Sequence, residues 1–359
     1  MIHSRFKQVF IILFIIALSN FLPLFESQTV FAESTPEKQC YASNIPVSLT
    51  PGGPVNQLVY GELCLPKGKT PSTIQLLLHG ITYDHNYWDF PGFDGQYSYV
   101  DAAIKSGYAT LNIDRIGSGK SSHPLSTSID MASDAWVAHQ LVQALRGGKV
   151  VGPNGSIAFS KVIEVGHSYG SHISMEEATR YQDVDGIILT DPVRGFQSST
   201  LEKVELTLNL YPASLDPKFG LLGQDLGYLT TRPNTRYQSF MKPGEVDSAV
   251  IDQDEKLKQT LTTTEITSLL VSLNTVQDIR VPVLLVMGEK DYLFCGSEAD
   301  CSTPESVTNI EKPYLGPNVP SIDAYVLNSA GHDINFMKNN QDWFTYALNW
   351  TDQHFGTQN

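Results

Sequence analysis

A central, mostly parallel β-sheet with helices on both faces, broken once by an inserted helical cap, is the α/β fold this sequence predicts. Three observations carry it. Short apolar runs alternate with stretches of helical spacing, the pattern of parallel strands buried on both sides. One run, Lys161-Val162-Ile163-Glu164-Val165, feeds into Gly166-His167-Ser168-Tyr169-Gly170 and then into a helical stretch, a strand–turn–helix with a very tight turn. The rhythm stops between Pro192 and Arg280 and then resumes.

The elements follow in order. Residues 33–56 are rich in Ser, Thr, Pro and Gly and read as an extended leading segment; residues 57–65 alternate as a strand does. Residues 73–78 form a short, continuous, buried-type strand, residues 100–106 a helix ending at Gly107, and residues 108–113 another strand. Residues 129–146 have helical spacing, with Met131, Ala135, Ala138, Leu141, Val142 and Leu145 on one stripe, and stop at Gly147-Gly148. The strand over 162–165, the Gly-rich turn, a helix over 171–181 and a strand over 186–190 come next. Residues 192–280 then offer helical stretches at 201–210, 246–257 and 264–276 around a loop-rich middle at 228–240, which together make the cap. Strands over 281–287 and 322–327 and a helix over 341–355 close the core, so the core occupies residues 33–191 and 281–359.

Composition narrows the function classes. With 17% charged residues, 41% hydrophobic residues and abundant Gly and Pro, the chain is a globular protein with a large core rather than a disordered one. A net charge of −14 argues against nucleic acid or an anionic membrane as partner. Arg5 and Lys7, an apolar run over 9–18 and Val30-Phe31-Ala32 read as a signal peptide cleaved after Ala32, which predicts an exported protein without a stable membrane anchor. All four cysteines follow that point. Three pairings are open, and Cys40–Cys64 with Cys295–Cys301 is favoured because each pair is close in sequence. No Cys or His pair sits at ligand spacing, so neither a metal nor a cofactor is expected.

The chemistry-bearing residues lie at strand ends. Ser168, centred in the Gly-x-Ser-x-Gly turn, is the candidate nucleophile. A serine hydroxyl needs an adjacent base, and His332 in Gly331-His332-Asp333, after the last strand, is the candidate. The base needs a carboxylate to hold its tautomer. Asp291 ends the strand over 281–287 and is favoured; Asp191 ends the strand over 186–190 and is the alternative. The order Ser168, Asp291, His332 is the one this architecture uses. Backbone N–H groups of Tyr169 and Ile81 are the candidate oxyanion donors, Ile81 because it follows His79-Gly80 at the end of an early central strand. Tyr83, Asp84, His85, Tyr87 and Trp88 are expected at the mouth of the site, and His167 is expected to pack beneath the turn. Asp114-Arg115-Ile116-Gly117-Ser118-Gly119-Lys120-Ser121 looks like a phosphate loop, but Asp114 stands where the first glycine belongs and would repel phosphate.

These motifs resemble the α/β-hydrolase superfamily across most of the chain beyond residue 32. The resemblance rests on His79-Gly80, Asp114 to Gly119, Gly166 to Gly170, Gly288-Glu289-Lys290-Asp291 and Gly331-His332. It is similar to the exported, esterase-like branch, and the resemblance makes the Asp114 loop structural. It implies a serine hydrolase cleaving a carboxylic ester, or a lactone or thioester, of a small molecule with an apolar group. A cofactor-free perhydrolase or haloperoxidase, and a binding protein on the same fold, are the alternatives.

Overall fold

The computed structural model describes residues 37–152, 155–192, 208–296 and 299–356. The expected leader over 1–32 and most of the expected cap helix at 201–210 lie outside them.

An eight-stranded sheet forms the centre. Its strands are β1 (Lys38–Val47), β2 (Gln57–Pro66), β3 (Thr73–Leu78), β4 (Ala109–Ile113), β7 (Lys161–His167), β8 (Gly186–Thr190), β12 (Val283–Gly288) and β13 (Ile322–Leu327). They lie in the order β1-β2-β4-β3-β7-β8-β12-β13. The first two strands run antiparallel to their neighbours and the remaining pairs are parallel. Every residue of β3, β4, β8 and β12 is buried, which is why these segments read as mostly apolar, interrupted in β3 by Gln75 and in β4 by Thr110 and Asn112.

Helices α1 (Tyr99–Lys105), α2 (Met131–Arg146), α3 (Tyr169–Arg180), α6 (Pro304–Leu315) and α7 (Asn340–Phe355) flank the sheet. Helix α2 starts at a reciprocal cap in which the Asp130 carboxylate accepts from the Ser133 N–H at 2.9 Å and the Ser133 hydroxyl faces the Asp130 N–H at 2.8 Å. Helix α7 lays Trp343, Phe344, Ala347 and Trp350 against the core, and Trp343 stacks on Tyr99 at 5.1 Å. Along the chain between α2 and β7, β5 (Val150–Gly152) pairs with β6 (Gly155–Ile157).

Between β8 and β12 the chain leaves the sheet. Its described part builds a three-stranded antiparallel sheet, β9 (Leu210–Pro212), β10 (Tyr228–Thr231) and β11 (Leu261–Thr262). A π-helical turn (Tyr237–Met241), helix α4 (Ser248–Leu257) and helix α5 (Thr263–Ser272) accompany it. The sequence reading gives the two helices but not the small sheet, whose strands are too short to show a period of two. A second departure is β1. The leading segment is not merely extended but pairs along ten residues of β2.

The disulfides are Cys40–Cys64, joining paired positions of β1 and β2, and Cys295–Cys301, closing a loop after β12. Among the described residues no helix is long and apolar enough to cross a membrane. The Cys40–Cys64 link closes a 24-residue separation at the sheet edge. Replacing both cysteines by serine is expected to cost roughly 3 kcal/mol through the entropy returned to the unfolded chain. A denaturant titration that finds less than about 1 kcal/mol would mean that strand pairing alone retains β1.

Candidate active site

The site forms at the carboxyl ends of the central strands. Ser168 sits between β7 and α3 at φ 52°, ψ −117°, a region that L-residues avoid. Its hydroxyl-bearing side chain is thereby pushed off the sheet edge, although the residue is only 7% exposed. Glycine is required on both sides. A Cβ on Gly166 would stand 2.5 Å from the Gly170 backbone, and a Cβ on Gly170 would stand 2.1 Å from the Leu78 carbonyl oxygen.

Ser168 and His332 line one cleft together with Ile81. His332 Nδ1 lies 2.7 Å from Asp291 Oδ2. A carboxylate oxygen only accepts, so Nδ1 carries the proton and Nε2 is left as the basic nitrogen. Burial alone would lower the His332 pKa. The charge of Asp291 and its hydrogen bond, aided by the charge of Asp333, outweigh burial and raise it above the ordinary 6.5.

Asp191 makes a different contact. Its Oδ1 accepts the Gly288 N–H at 2.8 Å, and its Oδ2 has no hydrogen-bond partner among the described residues. Burial and the neighbouring charge of Asp291 push its carboxyl well above the usual range. Of the two acids weighed from sequence, Asp291 is the one hydrogen-bonded to His332.

The other residues around the turn support it from below. His167 stacks on Tyr87 at 4.2 Å, contacts Thr190 Oγ1 through Nδ1 at 3.0 Å and lies 3.2 Å from Asp333 Oδ1 through Nε2. Burial, then the charge of His332, hold the His167 imidazole well below its ordinary pKa and therefore neutral. The Tyr83 hydroxyl donates to Asp333. The expected aromatic mouth is thus misplaced. Tyr83, Tyr87 and Trp88 are buried, and none of them lines the cleft. Asp84 and His85 are buried too. Asp84 caps the short turn that begins at His85, and His85 pairs with Asp114. The aromatic rings face inward because they pack edge to face on one another and on Phe336.

The cleft walls are apolar: Leu208, Phe240, Leu269, Leu270 and Leu273 from the insertion line it with Leu293 and Phe294.

Arg115 is the residue that sequence reasoning left as a loop position. Its guanidinium is buried between Glu265 of α5, with which it forms an ion pair, and Asp134 of α2, 3.6 Å away. Its Nη2 donates to the Gly80 carbonyl at 3.3 Å, and its backbone N–H donates to His79 Nε2 at 3.0 Å. That second bond fixes the tautomer of His79, so Nδ1 donates to the same Gly80 carbonyl at 2.8 Å. Burial, followed by the charge of Arg115, holds the His79 pKa down at about 3. The 80–81 peptide is trans, so a Gly80 carbonyl held from behind turns the Ile81 N–H the opposite way. Asp134 also accepts from the Tyr169 hydroxyl at 3.0 Å. One buried network therefore touches both candidate oxyanion residues. No sequence signal joins Arg115 to Glu265 across 150 positions. The only hint is the capping box at Thr262 and Glu265, which places that carboxylate at a helix start.

Residues 75–344 match the model of the alpha/beta hydrolase family, and the chain belongs to that family. Solved structures agree on the fold. An esterase of Pyrococcus furiosus aligns at 13% identity with a TM-score of 0.54, covering 89% of this chain and 91% of that one. The epoxide hydrolase CorEH aligns at 13% identity and TM-score 0.53 (88% and 99% covered), and DcsB, solved with a substrate analogue, at 16% identity and TM-score 0.55 (88% and 100% covered). No match is found among curated proteins. The chain is thus a hydrolase of the alpha/beta family.

The Arg115–Glu265 pair is out of water, so removing one partner strands the other. Glu265→Ala is expected to lower stability by about 3–5 kcal/mol. A shift of under 1 kcal/mol in a denaturant midpoint would show that Asp134 alone suffices for Arg115.

Proposed function

We propose that this protein is an exported serine hydrolase that cleaves carboxylic esters bearing an apolar group. The observation that carries the reading is the 2.7 Å contact between His332 Nδ1 and Asp291 Oδ2 in a cleft shared with Ser168. With Nδ1–H held by Asp291, Nε2 takes the Ser168 proton as the hydroxyl oxygen attacks the carbonyl carbon. The N–H groups of Ile81 and Tyr169 receive the developing oxyanion, each such donor being worth roughly 3–4 kcal/mol. His332 then returns the proton to the leaving alcohol, and water releases the acyl group by the same route in reverse.

Serine at the elbow favours this reading over epoxide opening, for which an elbow aspartate is the nucleophile in related enzymes. The filled Ser168, Asp291 and His332 positions favour it over a binding protein. Perhydrolysis uses the same groups, and a peroxide-with-acetate assay separates it from ester hydrolysis. The two disulfides suit an oxidising compartment, which supports export. The insertion over 192–280 acts as the cap that supplies four of the five leucines lining the cleft, Leu293 being the other.

Ser168→Ala is expected to lower turnover of p-nitrophenyl esters by at least about 10⁴-fold. In the wild type, kcat/KM should rise about fourfold per added acyl methylene over the first few chain lengths, from about 0.8 kcal/mol per buried CH₂. Retained turnover in the mutant would end the nucleophile assignment, and a flat chain-length series would end the apolar one.

Hydrolysis requires neutral His332, so kcat/KM should fall as pH drops through its raised pKa, with the acid limb centred above 6.5. In Asp291→Asn burial dominates. The limb should move to lower pH, and the rate should drop about 10⁴-fold. Asp191→Asn should stay within about tenfold of wild type; the reverse ranking of the two variants would move the acid role to Asp191.

A further inference from the structure

A second cluster of ionisable groups lies at the far end of α3 from Ser168. His139 of α2, Glu177 of α3 and Asp183, in the connection from α3 to β8, bring one ligand atom each within 4.8 Å of one another. Glu164, in the middle of β7, adds a carboxylate beside them and is fully buried.

How these atoms meet is unusual. His139 Nδ1 stands 2.9 Å from Asp183 Oδ2 and 3.9 Å from Glu177 Oε1. It nevertheless makes no hydrogen bond with either, because the ring N–H direction does not point at them. Neither oxygen of Glu177 and neither oxygen of Glu164 has a hydrogen-bond partner among the described residues, and both side chains are fully buried. Side-chain nitrogen and oxygen atoms from α2, α3 and the connection to β8 therefore converge within ligand reach of one another.

The surroundings fix the set in place. The His139 ring stacks on Tyr181 at 4.2 Å. Gln143 donates to Asp183 Oδ2, and Arg146 donates to the Asp183 backbone carbonyl at 2.9 and 2.7 Å. The Arg146 guanidinium is turned toward Asp185, 2.6 Å away, rather than into the cluster. His139 and Asp183 remain partly exposed, at 20% and 16% of their side chains, which gives an ion a way in.

We propose that His139, Glu177 and Asp183 bind a divalent transition-metal ion of the zinc class, with Glu164 supplying further negative charge behind them. One imidazole with carboxylates suits zinc better than calcium or magnesium, which prefer all-oxygen shells. Carboxylate and imidazole ligands bind a metal in their deprotonated forms, so binding releases protons. The ion would tie α2, α3 and the connection to β8 together, about two turns of helix below Ser168. No short spacing in the sequence marks such a site, because its ligands come from separate elements.

The test is zinc uptake by the full chain after EDTA treatment, followed by dialysis with elemental analysis and by calorimetry in two buffers of different protonation enthalpy. One equivalent should bind with a Kd of about 10 µM or tighter, with proton release. The melting temperature should rise by about 5 °C at a hundredfold excess over Kd. His139→Ala and Glu177→Gln should each weaken uptake at least about hundredfold, and calcium and magnesium should bind wild type at least tenfold more weakly than zinc. If Glu177→Gln does not fold, the partly exposed His139→Ala decides alone. No uptake at 100 µM zinc overturns the proposal. So does uptake unchanged in His139→Ala, which would place the ion elsewhere, for example at His332. Calcium bound as tightly as zinc overturns the zinc-class assignment.

Discussion

The close approach of backbones at the Ser168 turn is the constraint on which the rest of the structure depends. Strand β7 must reverse into α3 within a few residues, so Ser168 is held at φ 52°, at a cost of about 1–3 kcal/mol. The turn can close only because Gly166 and Gly170 bring no Cβ into spaces of 2.5 and 2.1 Å. Gly80 continues the same contact from β3, since a Cβ there would stand 3.2 Å from the Ser168 Cβ. Three glycines from two neighbouring strand ends thus share one volume. The Ile81 and Tyr169 amides, the Ser168 side chain and the ends of β3 and β7 take their relative positions from it.

Much of this could be read in the sequence because the information is local. The buried strands appear as short apolar runs, the turn as a glycine pattern, and Asp291 and His332 as polar residues just beyond strand ends. Other features are set by distant partners. Strand β1 alternates between exposed and part-buried residues along an edge, and its polar composition hid it within a loop-like segment. Helix α6 drew no reading, although Thr303, Pro304 and Ser306 are an N-terminal cap in plain form. The Tyr83 to Trp88 stretch was misread because aromatic residues after a strand end look alike whether they face a substrate or one another. Their packing on His167 and Phe336 was decided by chain segments some eighty and two hundred and fifty positions later.

Buried charge is handled in two ways in this molecule. Arg115 and Arg236 each have a carboxylate partner: Arg115 pairs with Glu265, and Arg236 with Asp254, to which its Nε and Nη2 donate, Nη2 at 3.1 Å. Asp191 and Glu177 have no cation directed at them, and burial with a neighbouring carboxylate raises the pKa of each. A guanidinium cannot shed its charge and so needs a partner, whereas a carboxyl can take a proton. The paired arginines therefore mark where this fold needs rigidity.

Both arginines converge on one short segment, and this gives the insertion a role beyond covering the cleft. From the core side, Arg115 holds the Gly80 carbonyl and is itself held by Glu265 of α5. From the insertion side, Arg236 donates to the Thr82 hydroxyl at 3.0 Å and lies over the Tyr83 ring at 4.2 Å. Thr82 is at φ 57°, a conformation that these contacts help to hold. Ile81 lies between the two anchored residues, so its amide direction is set by one ion pair, Arg115–Glu265, and one hydrogen bond, Arg236 to Thr82, that cross from core to insertion. Lifting α5 away from the sheet would break the Arg115–Glu265 pair, lifting the π-helical turn would break the Arg236–Thr82 bond, and either would loosen that amide at the same time. The walls of the apolar cleft and the geometry of its polar end are in this way one mechanical unit.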